Sequence, residues 1–353
     1  MMDPAAREAR VAALLARFEG AGARRVAPEA LQPAETLLDL YGEDIRARAY
    51  TTEDPVAGEQ MLRPDFTVPV VRAHIAAGRA AGRYAYAGPV WRRQEWGSPR
   101  PVEYWQAGIE AIGDPDPAAA DAEIFALIAG ALEGRDLTPA TGDMGVLIAA
   151  VAALPLSPGR RAALRRHLWR PARFHALLAA YAAPPEPSLT RRAILAAVAE
   201  GRTDAAIAAA GPAQGLRSPE EIAERTRALA EEAREPALPA ELLAALDALL
   251  AIAAPADAAL SAMRTLPLQG TGPALDRMAR RLDALAARGI EPGALPFEGA
   301  FGRTTLEYYD GFVFGFADGS GPVASGGRYD QLMRALGGAA PAVGAIIRPE
   351  RLT

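Results

Sequence analysis

The sequence predicts an α+β fold: a mostly antiparallel sheet flanked by helices, interrupted by an alanine-rich helical insertion. Three observations predict it. RYAYAGPVWRR and VEYWQAGIEAIG alternate partly between aromatic or apolar and other residues, and the polar, turn-forming QEWGSPRP between them makes an antiparallel hairpin. Residues 135–297 then change character, becoming alanine-rich and helical in pattern with repeated Pro and Gly breaks. Strand character returns after residue 303 in TTLEYYDGFVFGFAD. Sheet-forming segments on both sides of a helical block describe one core whose last strands follow an excursion. The expected division is a core of 1–134 and 298–353, with 135–297 as a helical insertion or connecting region.

Each element has its own signal. Residues 4–19 form a helix, with Pro4 at its start, Gly20 beyond its end and Leu14, Leu15 and Phe18 on its apolar face. In the mixed stretch 22–60, a short strand ends at 26–28, a short helix covers 33–41 and another strand covers 48–52. LRPDFTVPVVRAHI reads as a strand and then a helix, with Pro69 in its first turn. After the hairpin, the DPDP break precedes a helix carrying Asp121 and Glu123 toward its N-terminal half. The alanine-rich block splits into separate helices, one opened by a Ser218/Glu221 capping box. No constant period runs through it, which argues against a solenoid. Near the end, Tyr308 and Tyr309 lie on a predicted strand and therefore face opposite ways. GSGPVASGGRYD reads as a glycine-rich turn and QLMRALGG as a short helix.

Composition narrows the function. The chain has 353 residues, half of them hydrophobic, enough for one large or two medium domains. A net charge of -5 without a charged tail suggests no long-range attraction to nucleic acid or an acidic membrane. The absence of cysteine excludes disulfides, thiolate catalysis and cysteine-ligated zinc. Lysine is absent too, and all 38 basic side chains are arginine, which excludes Schiff-base chemistry and a P-loop lysine. His74, His167 and His175 are too scattered for a metal cluster, and no cofactor is expected. The N-terminus lacks the apolar run of about 7–15 residues of a secretory signal. No stretch reaches the ~18 apolar residues of a membrane span. A cytoplasmic location is expected.

At LRPDFT, GPVWRRQEW, EYWQAGIE, LEYYDGFVF and SGGRYD the chain resembles histidyl-tRNA synthetase, a class II aminoacyl-tRNA synthetase. The strings occur in that family's order and rough separation, over residues 5–134 and 298–353. The resemblance implies the class II catalytic-core fold. The departures are similar to a narrower family, the synthetase-like regulatory subunits of ATP phosphoribosyltransferase, and no anticodon-binding domain is expected. That resemblance implies a subunit with no activity alone and no tRNA partner. It would pair with a short-form catalytic subunit, dimerise within a hetero-octamer, bind L-histidine and allow histidine to feed back on the first step of histidine biosynthesis. The alternatives are a divergent histidyl-tRNA synthetase and another amino-acid-activating or scaffolding paralogue.

Residue by residue, the amino-acid side is retained. Asp65 and Thr67 lie two apart, so in an extended segment both point to one side, placing a carboxylate for a ligand ammonium beside a hydroxyl. Gln106 and Glu110 share one face of the second hairpin strand, where polar groups between Trp105 and Ile109 must be satisfied. The resemblance implies that these two bind and orient the amino acid, that Arg92 contacts its carboxylate and the ATP α-phosphate, and that Tyr308 and Tyr309 line the imidazole slot. The nucleotide side departs from the family's pattern. Arg93 and Gln94 replace a His-Glu pair. Thr304 stands where the enzyme has an arginine that stabilises charge during adenylate formation. Arg348 stands for a glycine before Arg351, the third-motif arginine. Losing a group that acts only in the transition state spares binding more than chemistry.

Overall fold

In the computed structural model, which describes residues 3–34, 47–98, 100–211, 217–303 and 308–352, the chain divides into two units. The first comprises Met1–Ala150 and Leu246–Thr353, the second Val151–Ala245. Helix α1 (Pro4–Gly20) begins where the sequence places it. Asp3 accepts from the Ala6 amide at 3.3 Å, and Val11, Leu14, Leu15 and Phe18 form its buried stripe. The strands are β1 (Arg24–Arg25), β2 (Leu31–Pro33), β3 (Thr51–Asp54), β4 (Gly58–Leu62), β5 (Gly82–Trp91), β6 (Glu103–Ile112), β7 (Thr138–Asp143), β8 (Ala253–Pro255), β9 (Pro296–Glu298), β10 (Phe312–Asp318), β11 (Gly321–Arg328) and β12 (Ala342–Ile347). Nine make one mixed sheet in the order β1-β5-β6-β12-β11-β10-β7-β9-β8, and β2-β4-β3 make a small second sheet. Pairing in the large sheet is antiparallel except at β1/β5 and β7/β9.

The predicted hairpin is β5/β6, paired from Gly82↔Ile112 to Trp91↔Glu103. Helix α2 (Thr67–Ala76) precedes it with Pro69 in the first turn. Helix α3 (Pro117–Ala131) follows it, capped by Asp116, which accepts from the Ala118 and Ala119 amides. Helices α1 and α3 pack on one side of the sheet. There Phe312, Phe314 and Phe316, alternate residues of β10, meet Phe125 of α3 at ring distances of 6.0, 5.1 and 5.4 Å. The same side buries a four-charge network. Asp121 of α3 pairs with Arg328 of β11 at 2.7 Å, and Arg281 pairs with Asp143 of β7 at 2.8 Å and with Asp121 at 3.5 Å. Burial removes water from all four, so they compensate one another, and Arg328 has a second carboxylate, Asp330, at 2.9 Å.

Helix α4 (Met144–Ala152) leads into the second unit, whose helices are α5 (Pro158–Arg166), α6 (Pro171–Ala182), α7 (Leu189–Ala199), α8 (Thr203–Ala209) and α9 (Pro219–Arg234). The capping box forms as expected: Ser218 Oγ accepts from the Glu221 amide at 3.2 Å, and Glu221 accepts from the Ser218 amide at 3.0 Å. Inside this unit Arg160 pairs with Glu235 at 3.2 Å and lies 4.9 Å over the Tyr181 ring. Helix α10 (Ala240–Ala251) returns the chain to the first unit, followed by α11 (Ala256–Thr265), α12 (Gly272–Ala286, which carries Arg281) and, after β11, α13 (Asp330–Ala335). No helix among the described residues is long and apolar enough to cross a membrane.

Several expectations change. Residues 138–143, read as part of the helical block, form β7 and pair antiparallel with β10. TPATGD has no alternation to announce a strand, and its partner lies far away in sequence. Most of GSGPVASGGRYD is not a turn but β11, between β10 and β12. A Cβ at Gly326 would stand 2.5 Å from the Phe314 ring, and one at Gly327 2.7 Å from the Tyr309 ring, so those glycines mark packing rather than chain reversal. The strand expected at 48–52 starts at Thr51. Tyr308 and Tyr309 precede β10 rather than lying on it, so strand alternation does not separate them. The helix expected at 33–41 and the Thr304 position fall largely or wholly outside the described residues.

Candidate functional site

The sheet face opposite α1 and α3 carries the polar cluster. Trp105 of β6 points toward α1, where the Arg7 guanidinium lies 4.5 Å above its ring, so Gln106, Gly108 and Glu110 occupy the other face. Small residues let long side chains lie flat across this floor. A Cβ at Gly108 would meet the Tyr86 hydroxyl at 2.5 Å, and one at Gly344 of β12 would sit 1.6 Å from Glu110 Oε2. Gly344 is the register partner of Glu110, and Gly108 that of Tyr86. Bare backbone in these places is what gives the carboxylate and the ring their room.

Glu110 is the centre of the cluster and is 1% exposed. Its Oε1 accepts from Thr67 Oγ1 at 2.9 Å and from the Tyr86 hydroxyl at 2.7 Å, and its Oε2 accepts from the Tyr329 hydroxyl at 2.5 Å. Burial raises its pKa from the ordinary carboxylate range to about 7, the three hydroxyl donors pull it back, and the neighbouring Asp65 charge raises it further. The tyrosines are neutral donors, because burial pushes the Tyr86, Tyr309 and Tyr329 hydroxyls well up. Tyr86 is held by Phe66, stacked at 4.6 Å and 12°.

The predicted amino-acid residues converge here. Asp65 (2% exposed) and Thr67 flank Phe66 at the start of α2. Tyr308 donates to Thr67 Oγ1 at 3.4 Å, and its ring meets Tyr309 at 4.9 Å and Tyr329 at 6.0 Å, so both adjacent tyrosines face the cluster. Gln106 is buried, and its Oε1 has no hydrogen-bond partner among the described residues. Such an acceptor is costly unless something else satisfies it. Arg92 follows β5 and donates through Nε to the Pro64 carbonyl at 2.9 Å, which ties it to the segment leading to Asp65. Sequence reasoning missed Tyr86, Tyr329 and Gly344 as members of this site. The even spacing of Tyr84, Tyr86 and Gly88 on β5 was the available signal for the first, and only register identifies the third.

Of the predicted nucleotide-side residues, the four that are described, Arg93, Gln94, Arg348 and Arg351, do not join this cluster. Arg93 is exposed and donates to the Ala47 carbonyl at 2.6 Å, while Gln94 accepts from Arg48 at 3.1 Å and donates to the Arg92 carbonyl. Arg348 lies 5.1 Å over the Tyr104 ring, donates to the Pro322 carbonyl at 3.2 Å, and has its pKa lowered by burial. Arg92 stands 5.9 Å from the same ring. Arg351 is engaged by the β10–β11 turn, reaching Asp318 Oδ1 and Ser320 Oγ, each at 2.5 Å. These arginines are therefore held by their own chain.

A family model described as histidyl-tRNA synthetase matches residues 2–235 and 223–352. A protein of Mesorhizobium japonicum named ATP phosphoribosyltransferase regulatory subunit is 39% identical over 343 residues, spanning 91% of this chain and 90% of that protein. A Sinorhizobium medicae protein of the same name is 37% identical over 362 residues, spanning 96% and 95%. Among solved structures, an ATP phosphoribosyltransferase regulatory subunit/histidyl-tRNA synthetase from Bacillus halodurans matches with a TM-score of 0.69 at 22% identity, over 100% of this chain and 80% of that one, which establishes the shared fold. The nine-stranded mixed sheet, the family model and the two relatives agree, and the chain belongs to the ATP phosphoribosyltransferase regulatory subunits, on the histidyl-tRNA synthetase fold.

Proposed function

We propose that this chain is a non-catalytic regulatory subunit. It partners a short-form ATP phosphoribosyltransferase catalytic subunit, is required for the first step of histidine biosynthesis, and conveys feedback inhibition by L-histidine. The ligand site is the cluster of Asp65, Thr67, Gln106, Glu110, Tyr308 and Tyr309, with Arg92 at its edge. The observation that carries this reading is an asymmetry. The amino-acid half is assembled and buried, with the Gln106 Oε1 acceptor left open among the described residues. The nucleotide-side Arg348 and Arg351 are occupied by Tyr104, Asp318 and Ser320. Two buried carboxylates, Asp65 and Glu110, suit a ligand that brings an ammonium and a second N–H donor. Such a cluster suits an amino acid, while Thr304 stands in place of the arginine that stabilises a developing adenylate in the enzyme. Histidine regulates by linkage: it binds one conformation of the complex better and shifts the complex toward it.

The test is reconstitution. Purified together, this chain and a short-form catalytic subunit should form a complex whose phosphoribosyl transfer exceeds that of either alone and is inhibited by histidine. Calorimetry on this chain should show histidine binding that Gln106→Ala weakens. Histidine-dependent pyrophosphate–ATP exchange by this chain without a partner would overturn the non-catalytic reading.

A further inference from the structure

The second unit carries its charge unevenly. Between Asp143 and Glu186 the sequence holds Arg160, Arg161, Arg165, Arg166, Arg170 and Arg173 and no carboxylate, in a chain whose net charge is -5. Two of these arginines serve the unit itself. Arg160 is buried against Glu235, and Arg161 donates to the Leu154 carbonyl at 3.2 Å and to that of Leu156. Arg165 and Arg166, in the last turn of α5, and Arg173, in the first turn of α6, are exposed. Among the described residues none of these three takes part in a salt bridge. The two helices are joined by 167–170, where the Arg170 amide donates to the His167 carbonyl at 2.9 Å, so the three guanidiniums belong to one tight helix–turn–helix.

Local helix electrostatics explain part of this. A helix C-terminus favours cations, which accounts for Arg165 and Arg166 without any partner. Arg173 does not fit that account. It stands in the first turn of α6, where the helix end is itself positive, no acidic residue shares the turn, and the N-cap Arg170 makes no side-chain capping bond. An exposed cation placed against the local field is available to an anion from outside the chain. Among the described residues the large exposed hydrophobics are Leu31, Val56, Trp96, Val102 and Leu189, none within this segment, so the surface it offers is cationic rather than apolar. The acidic remainder of the chain also repels a polyanion at long range. Arginine forks instead match carboxylates two bonds at a time.

We infer that the α5–turn–α6 segment, through Arg165, Arg166 and Arg173, docks an acidic surface of a protein partner; resting on the function proposed above, that partner is the catalytic subunit. The test is complex formation between the full chain and a short-form catalytic subunit, followed by sedimentation at low and high salt. Wild-type affinity should fall as salt rises. The Arg165→Glu/Arg166→Glu/Arg173→Glu variant should bind at least about tenfold more weakly at low salt, with an unchanged circular dichroism spectrum. An Arg165→Gln/Arg173→Gln variant should fall between the two, and it decides the matter if the triple variant does not fold. Unchanged affinity and salt dependence in the variant that folds overturn the docking surface while leaving the proposed function standing. A wild-type chain that binds no catalytic subunit overturns both. Retention of an RNA duplex by wild type, lost in the variant while catalytic-subunit binding is unaffected, also overturns it and assigns the surface to nucleic acid.

Discussion

Gly344→Ala tests how the site is built. The added Cβ would lie 1.6 Å from Glu110 Oε2 and 2.5 Å from its carboxyl carbon, with the Ile109 carbonyl oxygen 2.9 Å away on the backbone side. Ordinary contact needs about 3.5 Å or more, so the carboxylate has to move by roughly 2 Å. No such displacement preserves the 2.5 Å bond from Tyr329 together with the 2.7 and 2.9 Å bonds from Tyr86 and Thr67. Hydrogen bonds to a charged group are worth about 1.5–3 kcal/mol each, and overpacking a core adds about 1–3 kcal/mol. These terms overlap rather than add, and the expected loss of stability is about 3–5 kcal/mol by urea denaturation. Histidine affinity measured by calorimetry should fall roughly 30- to 150-fold, equivalent to about 2–3 kcal/mol. Combining Gly344→Ala with Glu110→Ala removes the clash, so the double variant should be much less destabilised than the sum of the singles. A Gly344→Ala protein within about 1 kcal/mol of wild type that still binds histidine normally would refute the reasoning.

Three other outcomes follow from the same geometry. Because Glu110 is raised to about 7 in the folded chain, the fold holds its proton more tightly than the unfolded chain does. Its contribution to stability is therefore full below about pH 4.5 and lost as pH rises toward 7, so wild type should lose on the order of 3 kcal/mol relative to Glu110→Gln across that window; parallel pH profiles of the two proteins would disprove it. Asp121→Asn leaves the buried Arg328 and Arg281 undercompensated and should cost about 3–5 kcal/mol in denaturant unfolding, whereas a near-neutral result would mean that water reaches the network. Asp318→Ala removes the partner of the part-exposed Arg351 and should change stability by only about 1 kcal/mol or less. Its histidine affinity should equal that of wild type in calorimetry, and a large loss would place Arg351 in the amino-acid site.

Local chemistry determined a good deal by itself. The first helix, the Ser218/Glu221 cap and the β5/β6 hairpin are set by caps, turn formers and alternation within a few residues of one another. The period of two also sufficed to put Gln106 and Glu110 on one face. What only the tertiary structure decided are the features whose causes lie far away in sequence. TPATGD becomes a strand because β10, at residues 312–318, offers it an edge. The glycines of β11 extend rather than turn because the Phe314 and Tyr309 rings fill the space beside them. Tyr308 and Tyr309 face one cluster because β10 begins only at Phe312. Gly344 matters through its register with Glu110, set by the pairing of β12 with β6 across more than two hundred residues. Propensity and pattern report interactions between near neighbours, and they carry no record of which distant strand supplies the other half of a bond.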